Sequence, residues 1–96
     1  MVWSEGLVLD ALAYFSRSGQ HWMRALLMTY RLPGLVAQGQ LDALADGIAQ
    51  AHQLAERTGV RDGDAAALAQ QAADACQAAG QTTLVAMLTE LVDLHR

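Results

Sequence analysis

The 96-residue chain has no lysine and no asparagine, one cysteine, one proline and only five aromatic residues, all of them within the first 30 positions. A lone cysteine cannot close an intrachain disulfide, nor can it supply the paired thiolates of a Cys-rich zinc site. Without lysine, the positive charge is six arginines against ten acids, a net of −4. A surface of that sign repels phosphate backbones and anionic headgroups, so neither a nucleic-acid partner nor a membrane partner is expected. Long apolar runs are missing too. The most apolar stretch, residues 22–36, is broken by Arg24, Arg31 and Pro33-Gly34, which leaves nothing that could span a bilayer as a helix. The first ten residues have no basic start and are interrupted by Ser4, Glu5, Gly6 and Asp10, unlike a secretory signal, so a cytoplasmic location is the expectation. The lack of lysine and asparagine beside abundant alanine points to GC-rich coding and a bacterial source.

What is present is helical periodicity. Hydrophobic residues make up 53% of the chain, enough for a packed body rather than a disordered tail. Over residues 41–58 the apolar positions are Leu41, Leu44, Ala45, Ile48, Ala51 and Ala55, the recurrence of one helix face. Arg57 suits the negative end of that helix, and Gly59 stands where a left-handed cap is needed. A second helix is expected over 64–79, with Asp62 or Asp64 as N-cap, Gly80 as stop, and Ala65, Leu68, Ala72, Ala75, Cys76 and Ala79 facing inward. A third over 83–95 carries Leu84, Met87, Leu88, Leu91 and Val92, with Thr82 or Thr83 as cap. Before Pro33 the pattern predicts helices over 4–16 and 20–31, separated at Gly19 and ended by Pro33-Gly34. The fold expected is therefore all-α and a single domain over 1–96: about five short helices in a small bundle or in stacked helical hairpins, with an N-terminal hairpin over about 4–31 and a three-helix part over about 41–95.

An echo joins two parts of the chain: Gly19-Gln20 followed by Ala25-Leu26-Leu27, and Gly80-Gln81 followed by Ala86-Met87-Leu88. In each, a helix ends at glycine and an alanine at the same offset opens the next apolar face. The arrangement resembles the helical hairpin of tetratricopeptide-type repeats, whose Trp, Gly-Tyr and Pro signature positions are not all present here. Separately, Leu54-Ala55-Glu56-Arg57-Thr58-Gly59-Val60 resembles the start of a bacterial DNA-binding helix-turn-helix, with Ala55 at the helix contact, Gly59 in the turn, Val60 entering the core, and Ala65 and Leu68 packing inward. The chemistry runs against that likeness. The would-be recognition helix offers Asp62, Asp64, Asp74, glutamines and alanines where DNA requires cations and base-reading side chains.

Sites of chemistry are sparse. The three histidines, 21, 52 and 95, and Cys76 have no close i, i+4 or Cys-x-x-Cys spacing, so no metal site is expected. His52 lies on the apolar stripe of its helix, where a satisfied and partly buried imidazole is the simple reading, and Cys76 lies among alanines as a packing residue. There is no phosphate loop and no nucleophile elbow, serine occurs only at 4, 16 and 18, and Asp42 and Asp46 fall on a polar helix face. No catalytic residue and no cofactor are assigned, and the chain is expected not to be an enzyme.

Charge and aromatic content are divided unevenly. Residues 1–40 carry three arginines and two acids, a net of +1, whereas 41–96 carry three arginines and eight acids, a net of −5. The first helix is apolar on nearly every side, which a domain this small has difficulty burying. The expectation is a protein–protein interaction module, an adaptor, chaperone or regulatory subunit acting as a homodimer or in a hetero-complex. Trp3, Leu7, Tyr14, Trp22, Met23, Arg24 and Tyr30 are the candidate partner-binding residues, although the same side chains would also serve as core. Arg17, Arg24 and Arg31, seven apart, would line up as a cationic ridge on an unbroken helix. A helix-turn-helix transcriptional regulator and a binder of a small apolar ligand are the alternatives.

Overall fold

The computed structural model describes residues 5–96. Among them are six helices and no strand: α1 (Glu5–Arg17), α2 (His21–Tyr30), α3 (Leu32–Ala37), α4 (Leu41–Thr58), α5 (Gly63–Ala78) and α6 (Thr82–Leu94). The all-α bundle expected from periodicity is what forms, with one helix more than the pattern predicts. The additional helix is α3. Pro33 does not end a helix there but opens one, because the first turn has no carbonyl for its amide to reach and the ring presets the backbone angle. Arg31 alone separates α2 from α3.

Three of the connections are the same turn. Gly19, Gly39 and Gly80 have φ of +75°, +69° and +75°, a region that only glycine enters freely. In each turn the glycine N–H donates to the carbonyl three residues back and the following glutamine N–H to the carbonyl five back: Ser16 and Phe15, Val36 and Leu35, Gln77 and Cys76. This double bond pattern closes a helix C-terminus by satisfying carbonyls that the helix itself cannot reach. It makes three helical hairpins, α1–α2, α3–α4 and α5–α6. The echo at Gly19-Gln20 and Gly80-Gln81 is thus a real structural recurrence, with a third copy at Gly39-Gln40. The likeness to tetratricopeptide repeats stops there. The turn glycines lie 20 and then 41 residues apart (19 to 39, 39 to 80), not at a constant period of about 34. The offset alanine also plays no common part: Ala25 is fully buried, Ala45 half-buried and Ala86 exposed.

The hairpins stack so that α4 lies between α2 and α6, α5 packs on α6, α3 and α2, and α1 touches, among the described residues, α2 alone. Leu32, Leu35, Leu44, Ile48, Ala51, Leu88, Leu91 and Val92 form the centre of the core. Gly47 lets α4 approach α3: a β-carbon there would stand 3.2 Å from Leu32 Cδ2. Helix α5 buries Ala65, Ala69, Ala72, Ala73 and Cys76, and these short side chains admit three neighbouring helices around one axis. Its inward face is turned from the one expected, since Ala75 and Ala79 are exposed and Leu68 is half-buried. Asp62 is the N-cap of α5, its carboxylate accepting from the Ala65 N–H at 2.9 Å. Neither Thr82 nor Thr83 caps α6; Gln81 stands at that position and makes no side-chain cap bond.

Candidate interaction surface

Helix α1 presents an apolar arc wider than its one neighbour can cover. Val8 and Leu12 are buried against α2, with Ala11 and Phe15 beside them. Leu7 and Tyr14, seven residues apart and so on one side of the helix, remain 56% and 55% exposed; Leu9, on the other side, is 48% exposed. Trp22 on α2 is 51% exposed. Several large apolar side chains left in water on one hairpin distinguish it from the rest of the described surface, where Leu41 is the other large hydrophobic residue that is exposed.

The other expected partner residues stand differently. Trp3 lies outside the described residues. Met23 and Arg24 are half-buried, and Arg24 Nη1 donates to His21 Nδ1 at 3.0 Å. Tyr30 is also half-buried, and its hydroxyl donates to Asp62 Oδ2 at 2.8 Å. Burial first, and the Asp62 carboxylate second, push its pKa up to about 12. Tyr30 therefore ties the end of α2 to the start of α5 through its polar atom. The cationic ridge does not assemble on one helix, because Gly19 separates Arg17 from Arg24 and Arg31 stands between α2 and α3. Leu9 and Leu41 are the exposed apolar residues that sequence reasoning missed: the all-round apolarity of α1 was the signal for Leu9, whereas Leu41, expected on the inward stripe of α4, stands at its first position, in water.

Asp62 organises a second cluster that no spacing rule could suggest. Its backbone N–H donates to His95 Nδ1 at 3.2 Å, while its carboxylate takes the Tyr30 and Ala65 bonds. His95 is 3% exposed, and because its Nδ1 accepts, the proton of the neutral ring sits on Nε2, which has no partner. Burial pushes the His95 pKa down and the nearby Arg61 adds to this, while the Asp62 charge opposes it. Cys76 is fully buried, as expected, and burial raises its thiol pKa, which leaves it a packing group. His52 is half-buried with Nδ1 2.7 Å from Glu56 Oε1, the satisfied imidazole expected on that stripe. Among the described residues, no group of three or more His, Cys, Asp or Glu side chains is placed to hold a metal ion, and no helix is long and apolar enough to cross a membrane.

A recess of about 240 Å³ opens between α4 and α6, lined by Ile48, Ala49, His52, Met87 and Glu90. It is remote in sequence from the Trp, Tyr and Met cluster expected to form a ligand pocket. The segment 54–68 is not a packed helix-turn-helix: α4 and α5 share no contact, and α5, which buries Ala65, packs on α6, α3 and α2 instead. A DNA-reading unit needs its two helices braced against each other, so that likeness is confined to the local sequence. Comparison with known proteins finds no matching family model, no matching curated protein and no matching solved structure.

Proposed function

We propose that the chain is a small protein-interaction module whose partner covers the outer side of the first hairpin. The observation that carries this reading is the exposure of Leu7, Leu9, Tyr14 and Trp22 on a hairpin whose outer helix has, among the described residues, one neighbour. Leaving four large apolar side chains in water forgoes roughly 25 cal/mol for each square ångström that a partner would cover. Tyr and Trp are also the side chains that most often anchor interfaces, since they bring large area at small entropic cost. Arg17 and Arg24 belong to the same hairpin and give it cationic groups, and Met23 adapts to the shape of what it meets. In this reading the module binds and presents rather than catalyses, and its partner is a second copy or the apolar helix of another protein.

Light scattering across a concentration series, on the wild type and on Leu7→Glu and Trp22→Glu, is the direct test. Self-association predicts a mass above 10.3 kDa that both substitutions return to the monomer. A 10.3 kDa species at every concentration overturns the homodimer. If in addition a Tyr14→Glu variant matches the wild type in solubility and in every partner pull-down, the surface has no role in binding.

A further inference from the structure

The recess between α4 and α6 is separate from the first hairpin and has a character of its own. Its most deeply buried lining residue is Ile48, 1% exposed; Ala49 beside it on α4 is exposed, and Met87 lines it from α6 with a flexible thioether that reshapes around what it contacts. Its volume of about 240 Å³ falls below the roughly 300–1,000 Å³ of small-molecule pockets and suits one large apolar side chain. The rim is acidic. Glu90 lines the recess and makes no hydrogen bond or ion pair among the described residues, while Glu56 stands against His52 on the α4 side. Along the two helices, the ionised side chains are Asp42, Asp46 and Glu56 against Arg57 on α4, and Glu90 and Asp93 with no cation on α6. A furrow between two neighbouring helices accepts the ridge of a third, and the charge around this one selects the sign of the visitor.

We propose that the α4–α6 recess docks a cationic amphipathic helix of a partner protein, with one large apolar side chain of that helix seated over Ile48 and Ala49 and its arginines or lysines facing Glu90 and Glu56. This site is independent of the first hairpin, so the chain carries two surfaces of opposite kind: one aromatic, one acidic around an apolar hole.

The test uses an end-capped, fluorescein-labelled alanine-based helical peptide with a central leucine and arginines one turn before and after it, titrated with the full chain and read by fluorescence anisotropy. Two control peptides replace the arginines with glutamate or the leucine with alanine. The expected result is saturable binding of the first peptide, at least about tenfold weaker for either control, and weakened further by raising salt from about 0.05 M to 0.3 M. Ala49→Phe, which fills the recess from an exposed helix position, and Glu90→Lys, which reverses the rim, each lower affinity at least about fivefold while the circular dichroism stays unchanged. Leu7→Glu leaves it unaltered. The proposal is overturned if the arginine peptide does not bind, if the glutamate peptide binds equally well, or if Leu7→Glu removes binding while Ala49→Phe and Glu90→Lys do not.

Discussion

His95 carries an unusual load for a residue one place from the end of the sequence: it is nearly fully buried, it accepts the Asp62 N–H, and its second nitrogen has no partner. Protonation would turn Nδ1 from acceptor to donor against another N–H and would place a charge where water cannot reach it. The folded pKa is therefore below the value of about 6.5 that a histidine has in an unfolded chain. In the window between the two, the unfolded state holds more protons, so stability rises with pH there. The contribution is complete above about pH 6.5 and is lost as pH falls toward the folded value. Urea denaturation of the wild type should show its midpoint falling between about pH 7.5 and 5.5. His95→Gln, whose amide oxygen can still accept but cannot titrate, should flatten that slope, and an unchanged slope would assign the acid sensitivity elsewhere.

Among the elements, α3 and α4 show how one glycine can be a defect and another a requirement. Gly34 lies inside α3 with nothing within 4 Å of where a β-carbon would project. Glycine there costs helix entropy without return, and Gly34→Ala is expected to raise stability by about 0.5–1 kcal/mol. Gly47 has the same intrinsic disadvantage in α4, but its added carbon would stand 3.2 Å from Leu32 Cδ2, so Leu32, fully enclosed in the core, would have to shift. Overpacking costs of roughly 1–3 kcal/mol then exceed the gain in propensity, and Gly47→Ala is expected to lower stability by about 1 kcal/mol. Chemical denaturation of the two variants beside the wild type checks both signs. Equal effects would mean that propensity alone governs, and that α3 does not rest on α4 as closely as the structure has it.

At the scale of the whole molecule, the accessible area of 5329 Å² is close to the roughly 5,400 Å² expected of a compact monomer of this mass. The apolar excess is therefore a matter of placement and not of loose folding. It collects on α1, which among the described residues is the helix with a single neighbour, whereas α4 is held by α2, α3 and α6. Local opening follows contact density, so α1 should be the first part to detach. Hydrogen exchange is expected to find the amides of residues 8–15 opening with a free energy at least about 2 kcal/mol below those of residues 44–54 and 88–92. Uniform protection would instead make the three hairpins one cooperative unit. If a partner covers Leu7 and Tyr14, its addition should raise protection in α1 first.

Much of this architecture is local and was legible in order along the chain. The bounds of α4, the left-handed cap at Gly59, the Asp62 cap of α5 and the break at Gly19 follow from periodicity and from which residues tolerate which backbone angles. A six-residue helix is too short to declare a period, so α3 was hidden behind a proline that usually marks an end. The face of α5 was misjudged for a related reason: alanine on most sides leaves no contrast from which to choose a direction. Pairing across the chain is a different matter. Nothing local joins Tyr30 to Asp62 over 32 residues, or Asp62 to His95 over 33, and the recess between Ile48 and Met87 exists only because α4 and α6 come to lie side by side. The residue types at Leu7, Tyr14 and Trp22 made them candidates for contact, but their exposure depends on which helices lie nearby. Sequence by itself determined where the helices run, since propensities and caps act within a few residues. Only the tertiary structure decided which faces are covered, since burial depends on neighbours brought from far along the chain.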